Sequence, residues 1–154
     1  MNSFPELINI KLINNETKHP ISNIAIMIKI FARNKIDYYY RPPVSNEEGV
    51  ISIERSLVEN EINKTQELFP ADYSSNLSDC EPKIEISIMS QEDIFREIQS
   101  MNDWKGVFEI NEKEMKSLSQ LNNINYMSLV SILNFNNQSI VNSEYYLKEI
   151  NQFR

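Results

Sequence analysis

Few side chains in this sequence are equipped for covalent chemistry, and their spacing keeps them apart. Cys80 is the sole cysteine and His19 the sole histidine. A thiol nucleophile needs a base beside it, whereas His19 falls in the turn Asn14–Pro20, so Cys80 reads as a buried or partly buried thiol. One imidazole and one thiolate also fall short of a zinc site. Asp72–Tyr73–Ser74–Ser75–Asn76–Leu77–Ser78 begins like a calcium loop, with oxygen donors at alternate positions. That loop requires glycine where Leu77 stands and glutamate where Lys83 stands, so the segment reads as an Asx- and Ser-rich connection. Glu47 and Glu48 are adjacent acids in a turn and splay into solvent, so they do not read as a catalytic carboxylate pair. There is no glycine-rich phosphate loop and no nucleophile elbow. The expectation is a protein without catalytic residues, cofactor or metal.

Recognition chemistry is better represented. Tyr38, Tyr39 and Tyr40 lie consecutively on a predicted strand, so Tyr38 and Tyr40 face away from Tyr39. Arg41 follows, then Pro42 and Pro43. Tyrosine and arginine concentrate binding energy at protein interfaces, and flanking prolines lower the cost of ordering. Tyr38, Tyr39, Tyr40 and Arg41, with Glu47 and Glu48 of the next loop, are therefore the candidate partner-binding residues. The competing reading buries the tyrosine rings and leaves their hydroxyls at the rim. Trp104 and the pair Tyr145–Tyr146 invite the same comparison.

The elements that must position these groups follow from periodicity. Ile8, Ile10 and Leu12 alternate within Leu7–Ile13, and Ile24, Ile26, Ile28 and Ile30 within Asn23–Arg33, whose other face carries Ala25, Met27 and Phe31. Lys35–Arg41 and Val50–Ile53 complete four strands. Gly49, one of two glycines in the chain, precedes the fourth strand and predicts a turn at positive φ. A helix is expected from Ser56, its candidate N-cap, through Leu57, Val58, Ile62, Leu68 and Phe69, ending at Pro70. Ile84, Ile86 and Ile88 mark a fifth strand over Lys83–Met89. A second helix, Ser90–Met101, presents Ile94, Phe95, Ile98 and Met101. Beyond it the pattern predicts a short strand at Gly106–Ile110 and a short helix capped by Asn111 with Met115, Leu118 and Leu121. Two strands, Ile124–Phe135 and Ile140–Ile150, are expected to form a hairpin at Asn136–Asn137–Gln138.

At 154 residues the chain suits a single domain, with a β-sandwich portion over 1–90 and a mixed α/β extension over 91–154. The fold class is mainly β: an antiparallel two-sheet sandwich with two or three short helices on its edges. A net charge of −7 argues against nucleic acid and anionic membranes, both of which draw on Lys and Arg. No apolar run approaches a membrane span and the first residues lack a secretory pattern, so a cytoplasmic location is expected.

Thr17–Lys18–His19–Pro20, running into Ile21–Ser22–Asn23–Ile24–Ala25–Ile26–Met27–Ile28, resembles the opening turn and strand of the carboxypeptidase regulatory-like, or transthyretin-like (prealbumin-like), family. Ser45–Asn46–Glu47–Glu48–Gly49–Val50–Ile51–Ser52–Ile53 resembles that family's turn-glycine-strand element. Lys18 and Asn23 stand where the family usually has glycine. The resemblance covers about the first ninety residues and implies seven antiparallel strands in two sheets, often with a short helix after the turn-glycine strand; the helix expected here, Leu57–Phe69, is long for that pattern. The family's hydroxyisourate hydrolases use several histidines, an arginine and a C-terminal Tyr-Arg-Gly-Ser, whereas this chain has His19 alone and ends Asn151–Gln152–Phe153–Arg154. Function is thus expected to be a non-catalytic protein–protein interaction module; the alternative is a small acidic inhibitor or immunity-type protein that neutralises a basic enzyme.

Overall fold

Isoleucine alternation sets the strands. In β1 (Leu7–Asn14), Ile8, Ile10 and Leu12 are fully buried while Lys11 is exposed. Ile26, Ile28 and Ile30 are buried on β2 (Ile26–Ala32), Ile51 and Ile53 on β4 (Val50–Glu54), and Ile84, Ile86 and Ile88 on β5 (Cys80–Ile88). Period-two side chains place each set on one face, and the branched chain packs well on a pleated surface. The computed structural model describes residues 4–73, 76–103, 116, 118, 121 and 123–150.

Two sheets result. One has the order β4–β1–β7, with β7 at Ile140–Leu147; the other has the order β3–β2–β5–β6, with β3 at Tyr38–Tyr40 and β6 at Val130–Asn134. Ile8, Ile10, Ile51, Ile53 and Val141 of the first sheet share one core cluster with Ile26, Ile28, Ile30, Ile84 and Ile86 of the second. Each fully buried isoleucine contributes about 2 kcal/mol of transfer free energy.

The pairing is not wholly antiparallel, because β1 and β7 run parallel. The expected β6–β7 hairpin explains the difference. Its turn forms: Asn136 and Asn137 have φ of 53° and 59°, and Gln138 N donates to Phe135 O at 3.0 Å. Two positive φ angles at the central positions make the tight mirror-image turn that asparagine tolerates. Yet β6 pairs with β5 and β7 with β1, so the turn carries the chain from one sheet to the other. Phe135, buried at the crossing, meets Phe4 edge-on with ring centres 5.0 Å apart.

Helix α1 (Arg55–Leu68) follows β4 without a loop. Glu54, still extended, is its N-cap and supplies no side-chain bond; Ser56, the expected cap, already lies inside the first turn. Val58 and Ile62 are buried, whereas Leu57, Leu68 and Phe69 are exposed. Helix α2 (Gln91–Asp103) starts as expected: Ser90 Oγ accepts from Asp93 N and Asp93 Oδ2 from Ser90 N, both at 3.0 Å, a reciprocal cap. Ile94, Ile98 and Met101 join a second cluster with Ala25, Met27, Met89, Leu118 and Leu121. Phe95, expected on that side, is 67% exposed, because one residue further along a helix turns the side chain by about 100°.

Other boundaries shift for local reasons. β2 starts at Ile26 because Asn23 has φ 62° and Ala25 is held elsewhere. Asn123, 2% exposed, accepts from Ala25 N at 3.0 Å and donates to Ala25 O at 2.8 Å and Met89 O at 2.7 Å. Its amide replaces a missing ladder partner. β3 is shorter than Lys35–Arg41 because Asn34 turns at φ 62° and Asp37 accepts from Ala32 N. The last two strands contract to Val130–Asn134 and Ile140–Leu147. The strand expected at Gly106–Ile110 and the cap at Asn111 lie outside the described residues, as does Trp104.

Gly49 occupies the expected turn at φ +78°. Its N–H donates to Asn46 O and its carbonyl accepts from Leu12 N at 2.8 Å, tying the turn to β1. A Cβ there would sit 2.6 Å from Leu12 O and 3.0 Å from Pro20 Cβ. Gly49→Ala is therefore expected to destabilise by about 2 kcal/mol or more, since left-handed strain of about 1 kcal/mol adds to a backbone clash. Asn123→Leu, which strands the Ala25 N–H and the Met89 carbonyl while Ala25 O keeps its bond from Met89 N, is expected to cost about 3 kcal/mol. Urea unfolding measures both; a loss under 0.5 kcal/mol in either, on the order of surface noise, would contradict the account.

Candidate functional site

Strand register decides which tyrosine is available. Tyr38, Ile30, Ile84 and Leu133 are successive partners across the four-stranded sheet, and so are Tyr40, Ile28, Ile86 and Ser131. Both rows face the core. Tyr39, Lys29, Glu85 and Ile132 form the intervening row on the opposite face. Tyr39 is accordingly 64% exposed, Tyr40 is half-buried, and Tyr38 is buried with its ring centre 5.1 Å from that of Tyr73. The Tyr38 hydroxyl has no hydrogen-bond partner among the described residues. Burial, then the neighbouring Cys80 and Tyr73, push its pKa up to about 12. Burial raises the Tyr40 pKa as well, reinforced by Glu61 and Glu54 and opposed by Arg41.

A cleft of about 830 Å³ opens along β3 between the two helices. Tyr39, Tyr40 and Arg41 line one side, Leu57, Glu61 and Lys64 of α1 another, and Glu97 of α2 closes the end. Val44, Leu118 and Leu121 supply apolar lining. The Arg41 side chain is 13% exposed, and its Nε lies 3.7 Å from Glu97 Oε1, which links β3 to α2. Lys64 and Glu61 are also 3.7 Å apart. The cleft thus combines apolar lining with a rim carrying charges of both signs.

Glu47 and Glu48 stand apart from this cleft, exposed on the turn that leads to Gly49. Asn46 organises that turn, its Oδ1 accepting from Glu48 N at 2.9 Å and from Val50 N at 3.0 Å. Of the six residues singled out from sequence, the fold brings Tyr39, Tyr40 and Arg41 together in one cleft, buries Tyr38, and sets the two glutamates elsewhere. Leu57, Lys64, Glu97, Leu118 and Leu121 were not foreseen as lining. Leu57 lies about 100° around the helix from Val58, and the fold buries Val58 while leaving Leu57 42% exposed.

Cys80 is buried and pairs with Ala32 in the four-stranded sheet, whereas His19 lies exposed in the turn after β1, beside Pro20, which bridges to Ile13. Burial, with Asp79 adding to it, pushes the Cys80 thiol up to about 11. Asn76 caps a 3₁₀ turn, Leu77–Asp79, by accepting from Ser78 N, which is the ordinary Asx geometry expected of that connection. Among the described residues, no three His, Cys, Asp or Glu side chains are grouped to hold a metal, and no helix is long and apolar enough to cross a membrane.

The raised pKa values give an alkaline limit to stability. Cys80 titrates from 9.0 when exposed to about 11 in the fold, and Tyr38 from 10.0 to about 12. Each neutral form is favoured by burial, so this stability is complete below pH 9 and is lost as pH rises through 11 to 12. Unfolding free energy is expected to fall over that window, with a shallower fall in Cys80→Ser. At pH 8 the native thiol should react with a disulfide reagent far more slowly than the unfolded chain; equal rates would show an accessible thiolate.

Comparison with protein-family models, with curated proteins and with solved structures found no match to this chain.

Proposed function

We propose that this chain is a non-catalytic β-sandwich interaction module that receives a segment of a protein partner in the cleft along β3. The observation that carries the reading is the exposed Tyr39 beside the Arg41–Glu97 pair and the exposed Leu57, all bordering one opening. An aromatic anchor, a charged pair and apolar lining are the ingredients of a binding hot spot, and about 830 Å³ falls within the range of working pockets. Cys80, buried on β5 with its thiol pKa raised by burial, supports a role without covalent chemistry.

A transthyretin-like sandwich is the architecture that fits this reading. It is supported by the seven strands found among the described residues, divided between two sheets over a shared core, and by a helix directly after the turn-glycine strand. Lys18 and Asn23, the two departures from glycine in the family pattern, adopt φ of 64° and 62°. The backbone therefore keeps a glycine-like conformation although the side chains differ.

The second reading, an acidic inhibitor of a basic enzyme, draws on the −7 charge and on Glu47 and Glu48, exposed on a turn that Asn46 and Gly49 hold rigid. The two readings separate in one experiment. Wild type and a Tyr39→Ala/Leu57→Ser double variant are immobilised, and native-host extract is passed over each at low and high salt. The replaced residues are solvent-exposed, so stability should change by about 0.5 kcal/mol or less each. Loss of the captured protein from the double variant, with little effect of salt, is the expected result. Capture that survives the variant but collapses in salt points instead to the acidic turn.

A further inference from the structure

Strand β6 is an edge that carries none of the usual defences. Its partner β5 covers one side; among the described residues no strand pairs with the other. The ladder shows which groups are left over. Phe135 N donates to Pro82 O and Ile88 N to Leu129 O, so by alternation Leu133 and Ser131 direct their backbone groups toward β5. Val130, Ile132 and Asn134 direct theirs outward, with no partner among the described residues. The side chains of Val130 and Ile132 are 65% and 46% exposed, and no residue of β6 is buried. Edges are ordinarily blunted by charge, proline or a bulge. Here the sequence has no Asp, Glu, Lys or Arg between Lys116 and Glu144, in a chain 24% charged.

We propose that β6 pairs with β6 of a second copy of this chain, antiparallel about a two-fold axis at Ile132, joining the two four-stranded sheets into one continuous sheet. Charge selects this occupant. Two chains of −7 repel wherever their acidic surfaces meet, and only a charge-free strip lets them approach without like charges opposed. A two-fold axis sets each residue against its own counterpart, which would penalise any charged edge. On β6 it places Ile132 beside Ile132 and Val130 beside Asn134, while every outward N–H and C=O finds a partner. The contact is isologous and closes at two copies. It lies on the opposite edge of the sheet from β3, so it stands independently of the cleft reading.

The test is sedimentation velocity of the full chain over a wide concentration range. Wild type is expected to be a monomer–dimer system that tightens with salt, as screening relieves repulsion outside the contact. Ile132→Lys sets two ammonium groups face to face and is expected to weaken dimerisation by about 100-fold or more, while Tyr39→Ala leaves it unchanged. A second variant covers the case in which lysine perturbs folding. In a Cys80→Ser background, Ile132→Cys should form an intermolecular disulfide on mild oxidation, because paired residues lie about 5.5 Å apart at Cα, and Tyr39→Cys should not. A monomer at every concentration, a dimer indifferent to Ile132→Lys together with no cross-link through position 132, or growth beyond two copies would each overturn the proposal.

Discussion

Isoleucine burial between the sheets is the constraint from which the remaining structure follows. Ile8, Ile10, Ile51 and Ile53 from one sheet meet Ile26, Ile28, Ile30, Ile84 and Ile86 from the other in a single cluster. Because side chains alternate, burying those positions dictates where every neighbour points. Lys29 and Glu85 are sent to the opposite face, and Tyr39 and Ile132 with them. A slip of one residue in any of these strands would invert that outcome and put charge into the core. The shared isoleucine face thus fixes the register on which both candidate surfaces depend.

Ends and crossings of the sheets are held by a few buried polar groups. Ser45 Oγ accepts from Ile24 N at 2.9 Å and donates to Ile21 O at 2.8 Å, while Asn123 grips both backbone groups of Ala25. Asn14 stabilises the turn after β1 by accepting from Glu16 N and Thr17 N. Each group satisfies backbone that a ladder leaves open, which would otherwise cost about 1–3 kcal/mol when buried. The turn at Lys18 and the break at Asn23 depend on this bracing, since positive φ outside glycine is strained.

The two proposed surfaces would draw on different physics. Along β3, side chains dominate: an exposed tyrosine, an arginine paired with Glu97, and apolar lining from Val44, Leu57, Leu118 and Leu121. Along β6, backbone dominates, and the absence of charge matters more than any one side chain. They occupy opposite edges of the same sheet, so the proposed partner in the cleft and the proposed second copy at β6 would not compete for the same residues.

Several features were legible in the sequence because they depend on neighbours in the chain. Period-two isoleucines marked the central strands, Gly49 marked its turn, and Ser90 with Asp93 marked the start of α2. Alternation also required Tyr39 to face away from Tyr38 and Tyr40. Which side was wet needed the pairing of Tyr39 with Lys29 and of Tyr38 with Ile30. The Asn136–Asn137 turn was equally local, but its neighbours' partners were not: β6 and β7 join different sheets, and β7 lies parallel to β1. Asn123 could not be distinguished from the other asparagines of its region, since its role depends on Ala25, ninety-eight positions away. The cleft is likewise a tertiary product, because Tyr39, Leu57, Glu97 and Leu121 come from separate elements. Local conformational preference acts over a few residues and is written in the sequence; strand partnership and concavity are set by which apolar faces bury one another, and only the folded chain decides that.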